Sequence, residues 1–326
     1  MEKLLSISIA AYNAEKYIRT TLNSILKIRD IEKLEVFIVD DGGTDNTFSI
    51  ASEYASKYPD VFIPVHKENG GYGSTVNYSI QKAKGQFFRL LDGDDWLCVD
   101  YINQYLEILK DSCCEFDILV TDVNNYFDST GTIAKRIPSW NALENGIYRL
   151  TDKKMKYLFS MWQLTVRTDN LRKVWKNLPE HTLYTDQLFV YYALLSSNMI
   201  RIEHIPTYCY RIGREGQSIE ASSRKKHYKD LCCVFDCMIN DYVNRENIKN
   251  SIESRIETLY AQIIATFLMF KREKKWYLKI KEYENNLKVK SRNIYKNMWW
   301  AYKKVTVLRI FRYIAYMLLS NGDSFY

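Results

Sequence analysis

The sequence predicts an α/β protein with a mixed, mostly parallel and doubly wound sheet, followed by a mainly helical C-terminal region. Over the first hundred residues, short apolar runs alternate with segments of helical periodicity. The apolar runs end in polar, acidic or glycine-rich stretches, and the last third of the chain has helical apolar spacing with few helix breakers. Alternating strands and helices typically form a parallel sheet whose loops meet at one edge.

The first strand–helix unit lies at the N-terminus. Leu4–Ala10 is apolar over the length of a strand, and the run stops at Tyr12 and Asn13. Glu15–Ile28 then has the spacing of an amphipathic helix. The sequence therefore predicts that Tyr12 lies at the carboxyl end of the first strand.

The second unit repeats this plan with an acidic turn. Leu34–Val39 predicts a buried strand, residues 40–45 form the turn DDGGTD, and Asn46–Tyr58 predicts a helix. A third strand, Val61–Val65, leads into the glycine-rich stretch ENGGYGS and a helix that ends at Ala83. These loops are expected at the same edge of the sheet.

Three carboxylates follow the fourth predicted strand, Phe87–Leu91. Asp92, Asp94 and Asp95 fall within four positions. Carboxylates so close together repel one another, and oxygen ligands at a turn suit Mg²⁺ or Mn²⁺ bound together with a phosphate. The alternative is a solvated acidic turn, because Asp and Gly also favour turns for local reasons.

The order of four motifs over roughly the first hundred residues resembles the inverting family 2 glycosyltransferases, which have a GT-A (Rossmann-like) fold for nucleotide-diphosphosugars. The motifs are YN, VDDGGTDNT, ENGGYGSTVN and LLDGDDW. Gly43 and Ala11 depart from the family, which more often has Ser and Pro there. Neither position supplies an essential side chain, so the resemblance holds.

The resemblance implies roles for residues on the nucleotide side of the site. Tyr12 would lie against the base, and Asp41 would accept a hydrogen bond from the imide nitrogen of the base. Asn69, Gly71 and Asn77 match the loop near the diphosphate, although a glycine-rich turn alone is weak support for a ligand site.

The resemblance also implies a different role for each of the three clustered acids. Asp92 would bond the ribose or the metal, and Asp94 would be the metal ligand of the family's Asp-x-Asp motif. Asp95 would fix the loop or contact the sugar, since an acid beside a metal ligand often orients it. A cation held there would stabilise the departing nucleoside diphosphate.

A second segment, LPEHTLYTDQLFVYY, provides a candidate catalytic base. Thr185 is placed as a helix cap and Asp186 in the first turn, and the segment matches the family's acidic signature downstream of the metal motif. We therefore assign Asp186 as the base that activates the acceptor hydroxyl. The alternative is that Asp186 only complements the helix dipole. Glu180 and His181 are the next candidates.

Two arginines follow in a segment similar to the family's basic loop, YRIGREGQS. Arg211 and Arg214 are candidates for pairing with diphosphate oxygens, because a guanidinium presents a planar fork that suits phosphate. The alternative is a surface loop in which they pair with Glu215 or Glu220. Upstream, MWQLTVR predicts a strand whose Trp162 packs in the core or stacks on a sugar.

The C-terminal tail differs in charge from the rest of the chain. Residues 271–312 contain fourteen Lys or Arg and three acids, a local charge of +11, whereas the whole chain carries +7. Tryptophans and other large apolar residues alternate with these bases, which suits an amphipathic helix at an anionic membrane surface. A helical hairpin packed on the catalytic domain is the alternative. Nucleic-acid binding is disfavoured, because no known nucleic-acid module accompanies the charge.

These observations predict two parts and one activity. Residues 1–222 would form the GT-A catalytic domain, with a nucleotide-sugar half at 1–100 and an acceptor half at 101–222, and residues 223–326 the helical region with its membrane-associating tail. The resemblance implies transfer from a nucleotide-sugar, a UDP-sugar above others, to a hydroxyl of a polyprenyl-diphosphate-linked glycan in bacterial capsule or exopolysaccharide synthesis.

Location and assembly follow less directly from the sequence. No secretory signal is visible, so we expect a cytoplasmic protein that is peripheral on the inner face of the plasma membrane. Whether it forms a homodimer stays open. The alternative function is a catalytically silent GT-A-like subunit that recruits a partner to the membrane, which the presence of Asp41, Asp92, Asp94 and Asp186 argues against.

Overall fold

The structure is a computed structural model that describes residues 2–111, 115–152, 154–213, 221–245, 249–268 and 274–297. Contacts divide these residues into two compact units. The first contains the described residues up to 213 together with Lys249–Ile252. The second contains the other described residues from 221 onwards.

One mixed sheet forms the centre of the first unit. Its strands are β1 (Leu5–Ala11), β2 (Leu34–Asp41), β3 (Phe62–Lys67), β4 (Phe87–Asp92), β5 (Trp96–Leu97), β6 (Ile118–Phe127), β7 (Thr132–Arg136), β8 (Gly146–Arg149), β9 (Leu164–Arg167) and β10 (Met199–Ile212). Six helices accompany it in the described residues: α1 (Ile18–Ile25), α2 (Thr47–Lys57), α3 (Tyr72–Lys82), α4 (Val99–Lys110), α5 (Thr168–Val174) and α6 (Asp186–Leu195). The predicted mostly parallel α/β architecture is confirmed.

The sheet has a parallel part and a mixed part. Its strand order is β3-β2-β1-β4-β9-β6-β10-β5, with β7 added to β6 and β8 to β10. The pairs β3–β2, β2–β1 and β1–β4 are parallel, whereas β9 runs antiparallel to both β4 and β6. All eight residues of β2 are buried, which explains the continuous apolar run Val36–Val39 at its centre.

Three local predictions from the sequence are corrected by the structure. The first helix begins at Ile18 rather than Glu15, after a turn in which the Tyr17 N–H donates to the carbonyl of Ala14. Met161–Gln163 is a turn of 3₁₀ helix, not strand, because Ser160 and Gln163 cap each other. The run from Ser222 to Lys226, whose three basic residues without a balancing acid predict a solvated linker, belongs instead to a helix.

The second unit is helical in its described residues. Its helices are α7 (Ala221–Lys226), α8 (Tyr228–Tyr242), the greater part of α9 (Asn250–Leu268), α10 (Lys274–Lys290) and α11 (Arg292–Asn297). Aromatic rings fill its core, with Phe235 packed 5.7 Å from Tyr260 and Phe267 5.8 Å from Tyr283 between ring centroids. The predicted helical C-terminal region is thereby confirmed.

Of the predicted membrane-associating tail at residues 271–312, the structure describes 274–297, which contain α10 and α11; the rest lies outside the described residues. Among the helices that are described, none is both long enough and apolar enough to cross a bilayer.

Candidate active site

The acidic and glycine-rich loops meet at one edge of the sheet. Parallel pairing puts Ala10 of β1 opposite Asp92 of β4, and Ala11 opposite Asp40 of β2. The carboxyl ends of three adjacent strands therefore deliver their loops side by side, as the sequence predicts. In open α/β sheets this edge is where ligands bind.

Asp92 ends β4 with an incompletely satisfied carboxylate. The Trp162 indole N–H donates to Oδ2 over 3.4 Å, whereas Oδ1 is buried and has no hydrogen-bond partner among the described residues. Burial, and then the charge of Asp94, raise the pKa of Asp92 to about 7. A carboxylate that is costly to ionise is a natural position for a cation or a donor group.

Asp95 faces inward and fixes the loop. Its carboxylate is buried and accepts hydrogen bonds from the Tyr208 hydroxyl at 2.7 Å and from the Arg211 backbone N–H at 2.8 Å. Burial and the charge of Asp92 raise its pKa well above the usual range. Of the two roles that the sequence allowed, these contacts favour holding the loop over contacting the sugar.

Asp94 lies between these two acids and is partly exposed. Within the described residues no group of three or more His, Cys, Asp or Glu side chains could by itself hold a metal ion. Asp92 and Asp94 nevertheless fit a Mg²⁺ or Mn²⁺ site, because these ions often take one or two carboxylates and complete their shell with phosphate and water. The buried, unpartnered Oδ1 of Asp92 supports that fit.

Asp41 differs from Asp92, because both oxygens of its buried carboxylate accept hydrogen bonds from the protein. Oδ1 accepts hydrogen bonds from the Gly70 N–H at 2.9 Å, the Lys67 ammonium at 2.8 Å and the Ser74 hydroxyl at 3.1 Å. Oδ2 accepts from the Gly71 N–H at 2.7 Å. These contacts make Asp41 the clamp of the glycine-rich loop, a role that the sequence did not indicate.

Two asparagines expected near the diphosphate also bind the protein backbone. The Asn69 amide donates to the Asp41 carbonyl at 2.8 Å. Buried Asn77 both donates to the Leu178 carbonyl at 2.9 Å and accepts from the Leu178 N–H at 2.8 Å. Asn77 therefore ties α3 to the segment that precedes α6.

The glycines in this region allow two segments to approach closely. Gly71 has φ +80°, and a Cβ there would lie 3.1 Å from the backbone nitrogen of His181. A Cβ on Gly73 would lie 2.5 Å from the Pro179 carbonyl oxygen. The His181 N–H in turn donates to the Gly70 carbonyl at 2.6 Å. The loop before α6 thus lies directly on the glycine-rich loop.

Asp186 is the first residue of α6 and is partly exposed. Thr185 occupies the predicted cap position, but its hydroxyl makes no hydrogen bond within the part of the chain that the structure describes. Gln187 donates its amide to Asp186 Oδ2 at 3.0 Å. The charge of Asp186 contributes to the raised pKa values of Asp92 and Tyr72, so the three groups lie close together.

The other end of α6 is held by Lys249, the first residue of the stretch that returns to the first unit. Its buried ammonium donates to the carbonyls of Leu194 at 2.8 Å and Leu195 at 3.0 Å, and also to that of Ser197. A cation at a helix C-terminus interacts favourably with the helix dipole. Lys249 thereby fixes the helix that carries Asp186.

The remaining sequence candidates fall in different surroundings. Tyr12 is 57% exposed directly after β1, where its ring is open to a ligand. Glu180 and His181 are exposed in the loop before α6. Arg214 lies outside the described residues.

Arg211 is built into the protein. Its guanidinium pairs with Asp128 and donates to the Asp94 carbonyl at 2.9 Å. The rings of Tyr17, Trp96 and Tyr126 surround it at 4.8, 5.0 and 5.2 Å from their centroids. These contacts make Arg211 a support of the acidic loop.

A group of aromatic and basic side chains at the site has no motif in the sequence. The ring centroids of Trp162 and Tyr210 lie 4.2 Å apart, and the Arg136 guanidinium lies 4.9 Å from the centroid of Trp162. Buried Tyr208 donates to Asp95. The alternation of Tyr208 and Tyr210 along β10 is the one sequence signal that these residues share a face.

Comparisons with known proteins fit this geometry. The sequence profile of glycosyl transferase family 2 matches residues 6–173. EpsH of Bacillus subtilis is 30% identical over 222 residues, which cover 64% of this chain and 60% of EpsH. The poly(ribitol-phosphate) beta-N-acetylglucosaminyltransferase TarS of Staphylococcus aureus is 29% identical over 85% of this chain and 46% of TarS. The chain thus spans about half the length of these relatives.

Solved structures with the same fold include S. aureus TarS 1–349 in complex with UDP-GlcNAc. It has a TM-score of 0.68 and 20% identity, and the match covers 89% of this chain and 82% of that one. The mannosyltransferase PcManGT of Pyrobaculum calidifontis, in complex with GDP-Man and Mn²⁺, has a TM-score of 0.55 and 16% identity over 82% of this chain and 75% of its own. The predicted GT-A fold is therefore confirmed.

Proposed function

Because the chain belongs to glycosyl transferase family 2, we propose that it transfers a sugar from a nucleotide-sugar to a hydroxyl of a glycan acceptor with inversion at the anomeric carbon. The observation that carries this proposal is the meeting of Asp92, Asp94 and Asp186 at the ligand-binding edge of the sheet. The unpartnered Asp92 oxygen and the charge coupling between Asp186 and Asp92 support one shared reaction centre.

In this proposal the donor is a UDP-sugar. TarS, whose fold this chain shares, binds UDP-GlcNAc. The exposed ring of Tyr12 offers a surface for the base next to the ends of β1 and β2. Asp41 holds the glycine-rich loop that we place beside the diphosphate, so it acts on the donor through the loop.

Asp186 is the proposed catalytic base. Its carboxylate would take the proton of the acceptor hydroxyl as the hydroxyl oxygen bonds to the anomeric carbon and the bond to the diphosphate breaks. The N-terminus of α6 stabilises the ionised form of Asp186, which keeps it ready to accept a proton. A Mg²⁺ or Mn²⁺ ion held by Asp92 and Asp94 would offset the negative charge that develops on the diphosphate.

The acceptor in this proposal is a lipid-linked glycan of cell-surface polysaccharide synthesis, with a polyprenyl diphosphate as the carrier. The basic, tryptophan-rich tail in the sequence supports a place at the cytoplasmic face of the membrane. TarS, which acts on poly(ribitol-phosphate), is a relative in the same broad area of cell-envelope chemistry.

The test compares Asp186→Asn with Asp169→Asn. Asp169 is a matched control, because it also stands in the first turn of a helix, and its carboxylate is 89% exposed. With UDP-GlcNAc and Mn²⁺ as the donor probe, we expect Asp186→Asn to lower sugar release or transfer at least about a hundredfold while UDP binding stays unchanged. Asp169→Asn should behave as wild type. Equal turnover in both variants would remove Asp186 from the mechanism.

A further inference from the structure

Arg136 ends β7 beside the reaction centre and has no role in the mechanism above. In the sheet register Arg136 pairs with Val123 of β6, and Asn125 pairs with both Ala134 of β7 and Tyr210 of β10. Residues two apart on a strand share a face, so Arg136, Asn125 and Tyr210 project from the same side of the sheet. Trp162 joins them, with the Arg136 guanidinium 4.9 Å from its ring centroid.

The Arg136 guanidinium has no anionic partner in the part of the chain that the structure describes. Within the ranges that the structure describes, no carboxylate pairs with it and no acceptor receives its N–H groups, whereas Arg211 pairs with Asp128 and Arg201 with Glu203. Burial lowers the pKa of Arg136, and the neighbouring Tyr210 hydroxyl opposes that shift. A partly buried cation without a counter-charge is costly, which suits a site completed by an anionic ligand.

Two further polar side chains on this face, Asn125 and Tyr210, have atoms that make no hydrogen bond among the described residues. The Asn125 side-chain oxygen is buried without a hydrogen-bond partner among the described residues. The Tyr210 hydroxyl makes no hydrogen bond within the same residues, and burial, followed by the charges of Asp95 and Asp92, raises its pKa. Buried polar atoms are normally paired in native proteins, so the unpaired Asn125 oxygen on the same face as Arg136 and Tyr210 marks a place for a ligand.

This cluster adjoins the reaction centre. The Trp162 indole N–H donates to Asp92 at 3.4 Å, and the same ring lies under Arg136. Arg136 and Asp92 are therefore separated by one side chain. A molecule bound at Arg136 would reach the edge of the sheet where Asp92 and Asp94 lie.

We propose that Arg136, Asn125 and Tyr210 form a subsite for a phosphate-bearing polyol or sugar. The guanidinium would bind the phosphate through two parallel hydrogen bonds, and the asparagine and tyrosine would bind neighbouring hydroxyls. This inference rests on the proposed function, because glycosyl transfer brings such groups to this edge. The phosphate belongs either to the diphosphate of the donor or to the acceptor, and the two sources share the chemistry that Arg136 recognises.

The test uses calorimetric binding to the full chain with Mn²⁺ present. The probes are UDP, uridine, glycerol 3-phosphate and glycerol, so each phosphate-bearing compound has a counterpart without phosphate. The variants are Arg136→Gln and Tyr210→Phe. Arg19→Gln is the matched control, because Arg19 forms an exposed pair with Glu53 at 2.9 Å and its loss changes the net charge equally.

We expect Arg136→Gln to weaken one phosphate-bearing probe at least about tenfold and to leave its counterpart unchanged. Weaker binding of UDP alone assigns the subsite to the donor, and weaker binding of glycerol 3-phosphate alone assigns it to the acceptor. Tyr210→Phe keeps the stacked ring and should weaken the same probe by a smaller factor. It also serves as the test should Arg136→Gln fail to fold.

The inference is overturned if both phosphate probes bind the Arg136→Gln protein as they bind wild type. It is also overturned if wild type binds neither probe, or if Arg19→Gln causes the same loss. Failure of the proposed function gives a different result, in which wild type does not bind UDP but glycerol 3-phosphate still binds in an Arg136-dependent way.

Discussion

Two acidic regions stand at the same edge of the sheet and differ in how their carboxylates are satisfied. On the glycine-rich side, Asp41 accepts hydrogen bonds from four protein groups. On the other side, Asp92 keeps a buried oxygen without a partner among the described residues. The first acid holds the loop in place, and the second is the one that we propose contacts a ligand. Both acids stand in family-like motifs, so the motifs do not distinguish their roles. The number of carboxylate oxygens that protein groups already bind does distinguish them.

The arginines show the same contrast. Arg211 has Asp128, a carbonyl and three rings around it, whereas Arg136 has aromatic neighbours but no anion in the described structure. The sequence predicted Arg211 as a phosphate-binding residue, because it stands in a segment that resembles the family's basic loop. Of the two arginines, Arg136 is the one that we propose binds a phosphate.

Removing the Asp41 carboxylate should have the largest effect on the free energy of unfolding. Asp41→Ala leaves two backbone N–H groups and the Lys67 ammonium without their acceptor, so we expect the free energy of unfolding to fall by about 3 kcal/mol. Urea unfolding measures the change. Asp169→Ala removes an exposed acid and should stay within about 0.5 kcal/mol of wild type. A small stability change accompanied by loss of nucleotide binding would instead make Asp41 a direct ligand contact.

A second substitution, at Asn77, tests whether this side chain holds the protein backbone or contacts the diphosphate. Asn77→Ala removes two buried hydrogen bonds to Leu178, and we expect about 2 kcal/mol lower unfolding free energy. Because the side chain faces the backbone, UDP affinity of the folded protein should be unchanged. Calorimetry at a temperature well below the unfolding midpoint separates the two effects. A large loss of UDP affinity in a stable variant would restore the role near the diphosphate.

Replacing Asp92 should change the free energy of unfolding in the opposite direction from replacing Asp41. The folded pKa of Asp92, about 7, lies above its unfolded value, so its contribution to stability falls as pH rises towards 7. Asp92→Asn should therefore stabilise the metal-free protein by about 1 to 2 kcal/mol at pH 8 and have little effect near pH 4. Unfolding at both pH values tests this. Destabilisation at pH 8 would mean that protein contacts beyond that of Trp162 stabilise the ionised carboxylate.

The smallest predicted effect is a pH dependence of cation binding. Protons compete with a divalent ion for Asp92, so the affinity for Mn²⁺ in the presence of UDP should rise as pH increases from about 5.5 to 7 and then level off. Asp92→Asn should abolish this slope. A slope that persists in the variant would assign the proton competition to another group.

The fold could be predicted from the sequence to a large extent, and the site only in outline. The parallel strands were predictable because buried apolar runs such as Leu34–Val39 end in acidic turns, and the resemblance identified Asp92, Asp94 and Asp186 as candidates. The clamp role of Asp41 depends on the backbone of the glycine-rich loop, where Gly71 has φ +80°. No local pattern encodes that geometry.

Arg136 illustrates the limit of sequence reasoning most clearly. Its position beside Trp162 depends on the register between β6, β7 and β10, which joins residues far apart along the chain. The 3₁₀ turn at Met161–Gln163 likewise depends on the reciprocal bonds of Ser160 and Gln163. Long-range strand pairing and capping contacts of this kind depend on tertiary structure. A sequence pattern does not contain them, so the run MWQL by itself predicts a strand.

We propose that Asp92, whose Oδ1 has no hydrogen-bond partner among the described residues, and Asp94 bind a nucleotide-sugar together with a divalent cation. The most direct measurement is a thermal-shift and turnover screen of UDP-, GDP- and dTDP-sugars with Mn²⁺, in wild type and Asp94→Ala. We predict Mn²⁺-dependent stabilisation by UDP-sugars that is lost in the variant. Absence of a shift with every donor, or an equal shift in Asp94→Ala, would contradict the claim.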